Sequence, residues 1–431
     1  MSNLLIKNGR VVDPSQELDG TLDVLILDGK VSAIKSGIEA GSHPGVRVVD
    51  AAGCIVTPGW VDMHTHLRDP GFSHKETIES GALAAAAGGF TSIACMANTK
   101  PVNDNPFVTS YIYQKASNCD VNIYAIGAIT KGLEGKQLAE IGSMFEAGIV
   151  GISDDGATVQ DSYIMRKALD YSKKFDLAVI SHAECTCLKG LGVMNEGVNS
   201  TRFGLRGNPK AAEEVIVARD ILLAELTGAR LHIAHVSTAG SVRLLREAKA
   251  KGIKVTGEAT PHHLILTDDA VGNYDTNTKV APPLREQVDV DALIEGVKDG
   301  TIDALATDHA PHSVTEKEVE YDLAAFGMVG LEIALPFYYR LHHEKGIPLS
   351  RIVDAMTAAP AKILGLPKGD LKPGADGDVS IFDPSAEYAI DKTTFKSKSR
   401  NTPFDGYKVR GKVRFTVTGG KVIYNASEEA R

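Results

Sequence analysis

Between Trp60 and Thr307 the chain repeats one pattern eight times: a short apolar run, then a longer amphipathic or alanine-rich stretch. The runs read as strands at Trp60–His66, Thr91–Ala97, Val121–Gly127, Ile149–Asp154, Ala178–His182, Arg230–Val236, Lys254–Ala259 and Ile302–Thr307. Helical periodicity fills the intervals at Lys75–Ala87, Phe107–Ser117, Lys136–Ala147, Tyr163–Phe175, Ala211–Thr227, Ser241–Lys251 and Val290–Lys298. Strands separated by helices make a parallel sheet covered on both faces rather than hairpins. Eight such units favour an α/β fold of the TIM type, a (β/α)8 barrel, over an open doubly wound sheet. No Gly-rich dinucleotide fingerprint argues otherwise. Gly330–His342 and Ser350–Leu364 read as two further helices beyond the eighth strand.

The flanks follow another style. Residues 1–55 and 365–431 read as strands and tight turns, with turn signals at Asn8-Gly9, Asp28-Gly29 and Gly419-Gly420. We expect a small β-sandwich domain assembled from both termini, carried on a barrel domain spanning residues 56–364.

In such a barrel, functional residues sit at the carboxyl ends of the strands. Here those ends carry His64 and His66, Asn98, Asp154-Asp155, His182, His235 with Ser237, Thr260-Pro261-His262-His263, and Asp308 followed by His312. A single histidine at a strand end is more often a satisfied polar residue than a ligand. Four of them with two carboxylates at equivalent points of one barrel indicate a divalent metal such as zinc, with an open position for catalysis. His64 and His66 share one face of their strand, and Arg68 keeps the same parity, a forked cation suited to a carboxylate. A metal makes water acidic enough to deprotonate at neutral pH, and Asp308 could bind metal, take that proton and return it to a leaving nitrogen. The bland reading of Asp308 is a loop or N-cap carboxylate. Asn98 and His312 suit polar or anionic parts of a substrate, although Asn98 reads equally well as a turn residue. His232 stands at odd spacing from His235 and reads as a packing or supporting histidine, and one of His262 and His263 reads as support for the site. The segment Ser313–Ala325 is open to two readings, a lid over the site or a solvated loop.

Several function classes drop out. A net charge of −9 with no Lys/Arg block excludes a nucleic-acid partner, while leaving room for an anionic small molecule held by local arginines. The chain shows neither a signal-peptide core nor an apolar run able to span a bilayer, so a cytoplasmic, membrane-free protein is expected. The five cysteines make no disulfide or structural-zinc framework, and Cys185 and Cys187 read as ordinary reduced thiols.

Three segments carry a resemblance. His64-Thr65-His66-Leu67-Arg68-Asp69-Pro70-Gly71, Asn98-Thr99-Lys100-Pro101-Val102 and Ala306-Thr307-Asp308-His309-Ala310-Pro311-His312 resemble the amidohydrolase superfamily, and more narrowly the bacterial dihydroorotase family. Phe326-Gly327, Val329-Gly330-Leu331-Glu332 and Leu371–Asp378 extend the likeness over nearly the whole chain. The resemblance implies reversible cyclisation of N-carbamoyl-L-aspartate to L-dihydroorotate with loss of water, a step of pyrimidine synthesis. It implies one or two Zn2+ ions: His64, His66 and Asp308 on one, His182 and His235 on the other. Where many relatives place a carbamylated lysine this chain has Asp154-Asp155, and the resemblance implies Asp155 as the ligand, because its distance to His182 matches the family spacing better. Arg68, Asn98 and His312 would contact substrate, with Phe326 and Gly327 contributing backbone groups. A homodimer and an association with aspartate transcarbamoylase are implied as well. The chain departs from the family at Ala281, where asparagine is frequent, and at Ala97, where proline is common. A hydantoinase or allantoinase on the same barrel, and a metal-free scaffold, are the competing readings.

Overall fold

The computed structural model describes residues 3–429. Eight parallel strands, Trp60–Thr65, Phe90–Cys95, Asn122–Gly127, Gly151–Ser153, Ala178–Ser181, Leu231–Ile233, Val255–Ala259 and Ala304–Leu305, pair in sequence order. Each lies within one of the expected runs except the second, which starts one residue earlier, at Phe90. The ring closes just above the eighth strand, where His309 bridges Thr65 and its carbonyl accepts the His66 N–H at 2.9 Å. Helices Ile78–Gly88, Pro106–Ala116, Ile141–Glu146, Ser162–Ser172, Lys210–Thr227, Ala239–Ala250 and Gln287–Asp299 fill the intervals. Local chemistry starts them: the Thr77 hydroxyl accepts the Ser80 N–H at 3.0 Å, and Asn105 caps a helix whose first residue is Pro106.

The period of two along each strand sorts the core into layers. Ile93 and Cys95 join the outer cluster with helix residues such as Ala84 and Ile112, while Ala94 and Met96 join an inner cluster with Met63, Ile126, Ile180 and Ala304. Pairing of the first two strands slips between Asp62 and Thr65, where apolar Met63 gives way to His64 and His66. Apolar filling therefore stops one layer short of the barrel mouth.

Both termini build the second, mixed sheet. Its order is Lys421–Asn425, Lys408–Thr418, Val379–Ala389, Ile55–Pro58, Leu4–Asp13, Leu18–Leu27, Lys30–Lys35, with Arg47–Asp50 also paired to Leu4–Asp13. Ile55–Pro58 joins the ends, pairing with Arg10 and Val11 on one side and with Val379–Phe382 on the other. The chain then passes through Gly59 into the first barrel strand.

Two local expectations are corrected. Asn8-Gly9 is not a hairpin turn: Leu4–Asp13 is one strand with a register shift between Ile6 and Gly9. Asn8 takes φ +63 with its N–H on Asp23 Oδ1 at 2.9 Å, and a Cβ on Gly9 would come within 2.4 Å of Val56, so the pair encodes a bulge. The Asp28-Gly29 and Gly419-Gly420 pairs do link neighbouring antiparallel strands. The expected helix over residues 350–364 is two, Leu349–Met356 and Ala358–Ile363, broken at Thr357. Pro360 explains the break, since its ring crowds the carbonyl four residues back, that of Met356. Among the described residues no helix is long and apolar enough to cross a membrane.

Candidate metal centre

His64 is wholly buried, and Nδ1 lies 2.6 Å from Oε1 of Glu258. Burial opposes charge on Glu258, yet the His64 and His232 imidazoles outweigh it and hold the carboxyl well below the usual range. Glu258 therefore holds a proton on Nδ1 and turns Nε2, the nitrogen a metal would take, to the opposite side. That Nε2 faces Asp155 Oδ1 at 3.4 Å and Asp308 Oδ1 at 3.5 Å. Nε2 of His64 and Oδ1 of Asp155 are both buried without a hydrogen-bond partner among the described residues. A ring nitrogen and a carboxylate oxygen left without hydrogen bonds in a dry pocket mark a place for positive charge, which a metal ion would supply in exchange for the ring's proton.

The remaining groups converge on the same point. His66 Nε2 lies 3.1 Å from Asp308 Oδ1 and 3.4 Å from Asp155 Oδ2, while its Nδ1 donates to Asn98 Oδ1 at 2.9 Å. His182 Nδ1 and His235 Nε2 stand 2.9 Å apart, each 3.4 Å from Asp155 Oδ1, the oxygen that His64 also faces. Two sets of three, His64-His66-Asp155 and Asp155-His182-His235, each bring their ligand atoms within 4.8 Å of one another. Asp155 belongs to both. The donor set of imidazoles and carboxylates fits a divalent metal of the zinc type.

Electrostatics agree with that fit. Burial lowers the pKa of His64, but Asp155, Glu258 and Asp308 outweigh it and hold the imidazole well above its ordinary value. Burial likewise opposes charge on His182, which Asp155 and Glu184 nonetheless raise to about 9. Asp155 and Asp308 are desolvated, yet the surrounding histidines hold both carboxyls well down. The pocket favours positive charge at its centre.

The paired aspartates have different work. Asp154 Oδ1 accepts the N–H groups of Ile129 at 2.7 Å and Thr130 at 2.9 Å, and its Oδ2 accepts the Thr130 hydroxyl. It ties neighbouring strand ends together, whereas Asp155 faces the imidazoles.

Arg68 stands beside this cluster in a left-handed conformation, φ +61, with Nε donating to Pro311 O at 3.2 Å. His312 Nε2 donates to Phe326 O at 2.8 Å and lies 3.3 Å from Arg68 Nη2, which leaves Nδ1 as a buried, unpartnered acceptor. Burial, then Arg68, Lys75 and Lys317, push His312 down to about 3, so the ring is neutral. The backbone groups expected to meet substrate are engaged with protein: Gly327 N–H donates to Lys279 O at 2.8 Å, and Gly327 O accepts from Lys317 and Asn401. Asn98 is likewise occupied by His66. Lys317 also holds Ala325 O at 2.8 Å, and Lys279 holds Tyr321 O at 2.8 Å and Asp322 O at 3.0 Å. Lys317 thus ties residues 313–327 to themselves and Lys279 anchors them from outside, so this segment is not a freely solvated loop.

Sequence reasoning passed over Glu258, although an acidic residue inside the run Val255-Thr256-Gly257-Glu258-Ala259 is a readable signal. Through it His232 supports the site, its Nε2 3.1 Å from Glu258 Oε2. His263 is bound into structure by Thr260 Oγ1 at 2.8 Å and Pro282 O at 3.0 Å. His262 Nε2 is buried and unpartnered, under the charges of Asp308, His235 and His64.

Known proteins match this chain along its length. The family described as Dihydro-orotase-like matches residues 53–241, and the one described as Amidohydrolase family matches residues 223–424. The dihydroorotase of Geobacter metallireducens is 54% identical over 98% of this chain and 99% of its own. That of Pelotomaculum thermopropionicum is 54% identical over 97% and 98%. Among solved structures, an L-hydantoinase (dihydropyrimidinase) from Arthrobacter aurescens superposes with a TM-score of 0.87 at 28% identity, covering 99% of this chain and 96% of its own. A dihydropyrimidinase from Brevibacillus agri gives 0.84 at 27% identity, covering 98% and 95%.

Proposed function

This chain belongs to the dihydroorotase family of amidohydrolases, enzymes that hydrolyse cyclic amides, and we propose that it interconverts N-carbamoyl-L-aspartate and L-dihydroorotate around a zinc centre. The observation that carries the reading is Asp155, whose carboxylate stands 3.4 Å from imidazoles of both histidine pairs, beside the forked cation of Arg68. His64, His66 and Asp308 would hold one metal, His182 and His235 a second, and Asp155 would serve both.

Bound there, the metal supplies Lewis acidity, bringing water's pKa from about 15.7 to about 7 and polarising a carbonyl. The chain's residues do the rest. Arg68 pairs with the substrate carboxylate and fixes the ring. His312, neutral and with no hydrogen bond on Nδ1, would accept from a substrate N–H, while Phe326 O holds its Nε2 beside Arg68. Asn98 sets the His66 ring through Oδ1, and its amide nitrogen, 3.5 Å from Asp155 O, would be the group to turn to substrate. Asp308 is ionised and so can take a proton from the attacking water and pass it to the departing ring nitrogen. In the cyclising direction the same carboxylate receives the proton of the carbamoyl nitrogen.

A substrate panel tests the proposal: dihydroorotate turned over at least a hundredfold better than hydantoin or allantoin supports it. Preference for hydantoin, the reading favoured by the structural neighbours, would replace it. Absence of all three activities in zinc-loaded protein would favour a scaffold. A homodimer, association with aspartate transcarbamoylase, a cytoplasmic location, and a domain division at residues 1–55 with 365–431 against 56–364 stand as further proposals. Light scattering, co-purification, cell fractionation and limited proteolysis decide these in turn.

A further inference from the structure

Cys185 and Cys187 meet sulfur to sulfur, 3.0 Å apart. The backbone arranges the meeting. Cys185 is extended, φ −73 and ψ 108, and the one-turn helix Thr186–Lys189 starts at the next residue and folds Cys187 back over it. Neighbouring bonds fix the segment at both ends: Cys185 N–H donates to Ala212 O at 2.7 Å, Thr186 N–H to Gln160 Oε1 at 3.2 Å, and Lys189 Nζ to Glu184 Oε2 at 2.6 Å. Cys187 is exposed and Cys185 buried, so solvent reaches one sulfur and the other waits behind it.

The remaining thiols sit differently. Burial pushes Cys95 up to about 12 and Cys119 to about 11, and it raises Cys54 as well. At Cys185 the hydrogen bond from Cys187 acts in the opposite direction and holds the thiol below its usual value. The same bond raises Cys187, so thiolate character lies on the buried sulfur and solvent access on the exposed one, and the 3.0 Å contact joins the two in one pair.

We propose that Cys185 and Cys187 form a modification site, a closely spaced dithiol that hydrogen peroxide converts reversibly into a disulfide. One sulfur attacks a peroxide oxygen, the O–O bond breaks, and a sulfenic acid and one water result. The other sulfur attacks the sulfenic sulfur, the S–O bond breaks, and its oxygen leaves as a second water. Two electrons pass from the sulfurs to the peroxide, and both thiol hydrogens end in water. Bond formation asks the sulfurs to close by about 1 Å. The site lies three residues past His182, and Glu184 between them is 3.7 Å from His182 Nε2.

The full-length protein tests this without any turnover assay. After equimolar hydrogen peroxide, quenching and denaturation, free thiols should fall from five to three. Mass should drop by about 2 Da in the peptide holding both cysteines, and dithiothreitol should restore it. Cys187→Ser should keep all its thiols under the same exposure. Five thiols remaining, the loss mapping to another pair, or Cys187 gaining two or three oxygens without linking to Cys185 would each overturn the proposal.

Discussion

Oε1 of Glu258 and Nδ1 of His64 lie 2.6 Å apart with neither group exposed to solvent, in the layer directly beneath the proposed metal centre. The same oxygen accepts the His235 N–H at 3.1 Å, so one carboxylate orients a residue from each half of the site. Glu258→Gln keeps the shape and removes the charge. Metal affinity should fall about 10- to 100-fold, the usual cost of losing a partner of this kind. Titration of metal-stripped protein with zinc measures it, and an unchanged affinity would remove Glu258 from the account.

Asp308→Asn removes the proton acceptor while preserving size. Turnover of dihydroorotate should drop by about 10²- to 10⁴-fold, with the circular dichroism spectrum unchanged. Near-normal turnover would show that another group carries the proton.

The adjacent aspartates should separate cleanly. Asp155→Ala should lose bound metal and remain folded. Asp154→Ala should keep its metal and lose stability, by about 1–3 kcal/mol for each orphaned backbone N–H of Ile129 and Thr130. Elemental analysis and thermal melting of both variants give the comparison, and a reversed pattern would exchange their roles.

Glu332 sets a pH dependence remote from the centre. Its carboxylate accepts the Lys396 and Ser397 N–H groups at 2.9 and 3.0 Å, and burial raises its pKa to about 7. Folded chain keeps this proton to about pH 7, whereas unfolded chain releases it near 4.3. Native protein thus binds more protons between those values, and stability falls as pH rises through the window. The loss is on the order of 2 kcal/mol, allowing for solvent screening in the cavity of about 340 Å³ that Glu332 lines. Glu332→Gln should flatten this fall, read as urea midpoints at pH 5 and pH 8. Parallel midpoints in variant and wild type would contradict the assignment.

Much of this was legible in residue order, for physical reasons. Hydrophobic period and helix punctuation marked every barrel strand, and strand parity brought His64 and His66 together. The choice of Asp155 over Asp154 came from family spacing alone, and residue order held no sign of what Asp154 does, because its partners Ile129 and Thr130 lie 25 and 24 residues away. Asn98 and His312 were legible as polar residues at the mouth. Their present partners, His66 and Phe326, come from 32 and 14 residues away and no local pattern announces them. Asn8-Gly9 shows the converse: its turn chemistry was real, but tertiary packing against Val56 spends it on a bulge.

The central claim is that dihydroorotate turnover depends on metal gathered by Asp155. Zinc added back to chelator-stripped protein tests it most directly, with bound metal and dihydroorotate hydrolysis followed in one titration. Activity should rise from near zero and saturate at about two zinc per chain, while Asp155→Ala stays flat. Full activity in the stripped protein, or equal recovery in Asp155→Ala, would contradict the account.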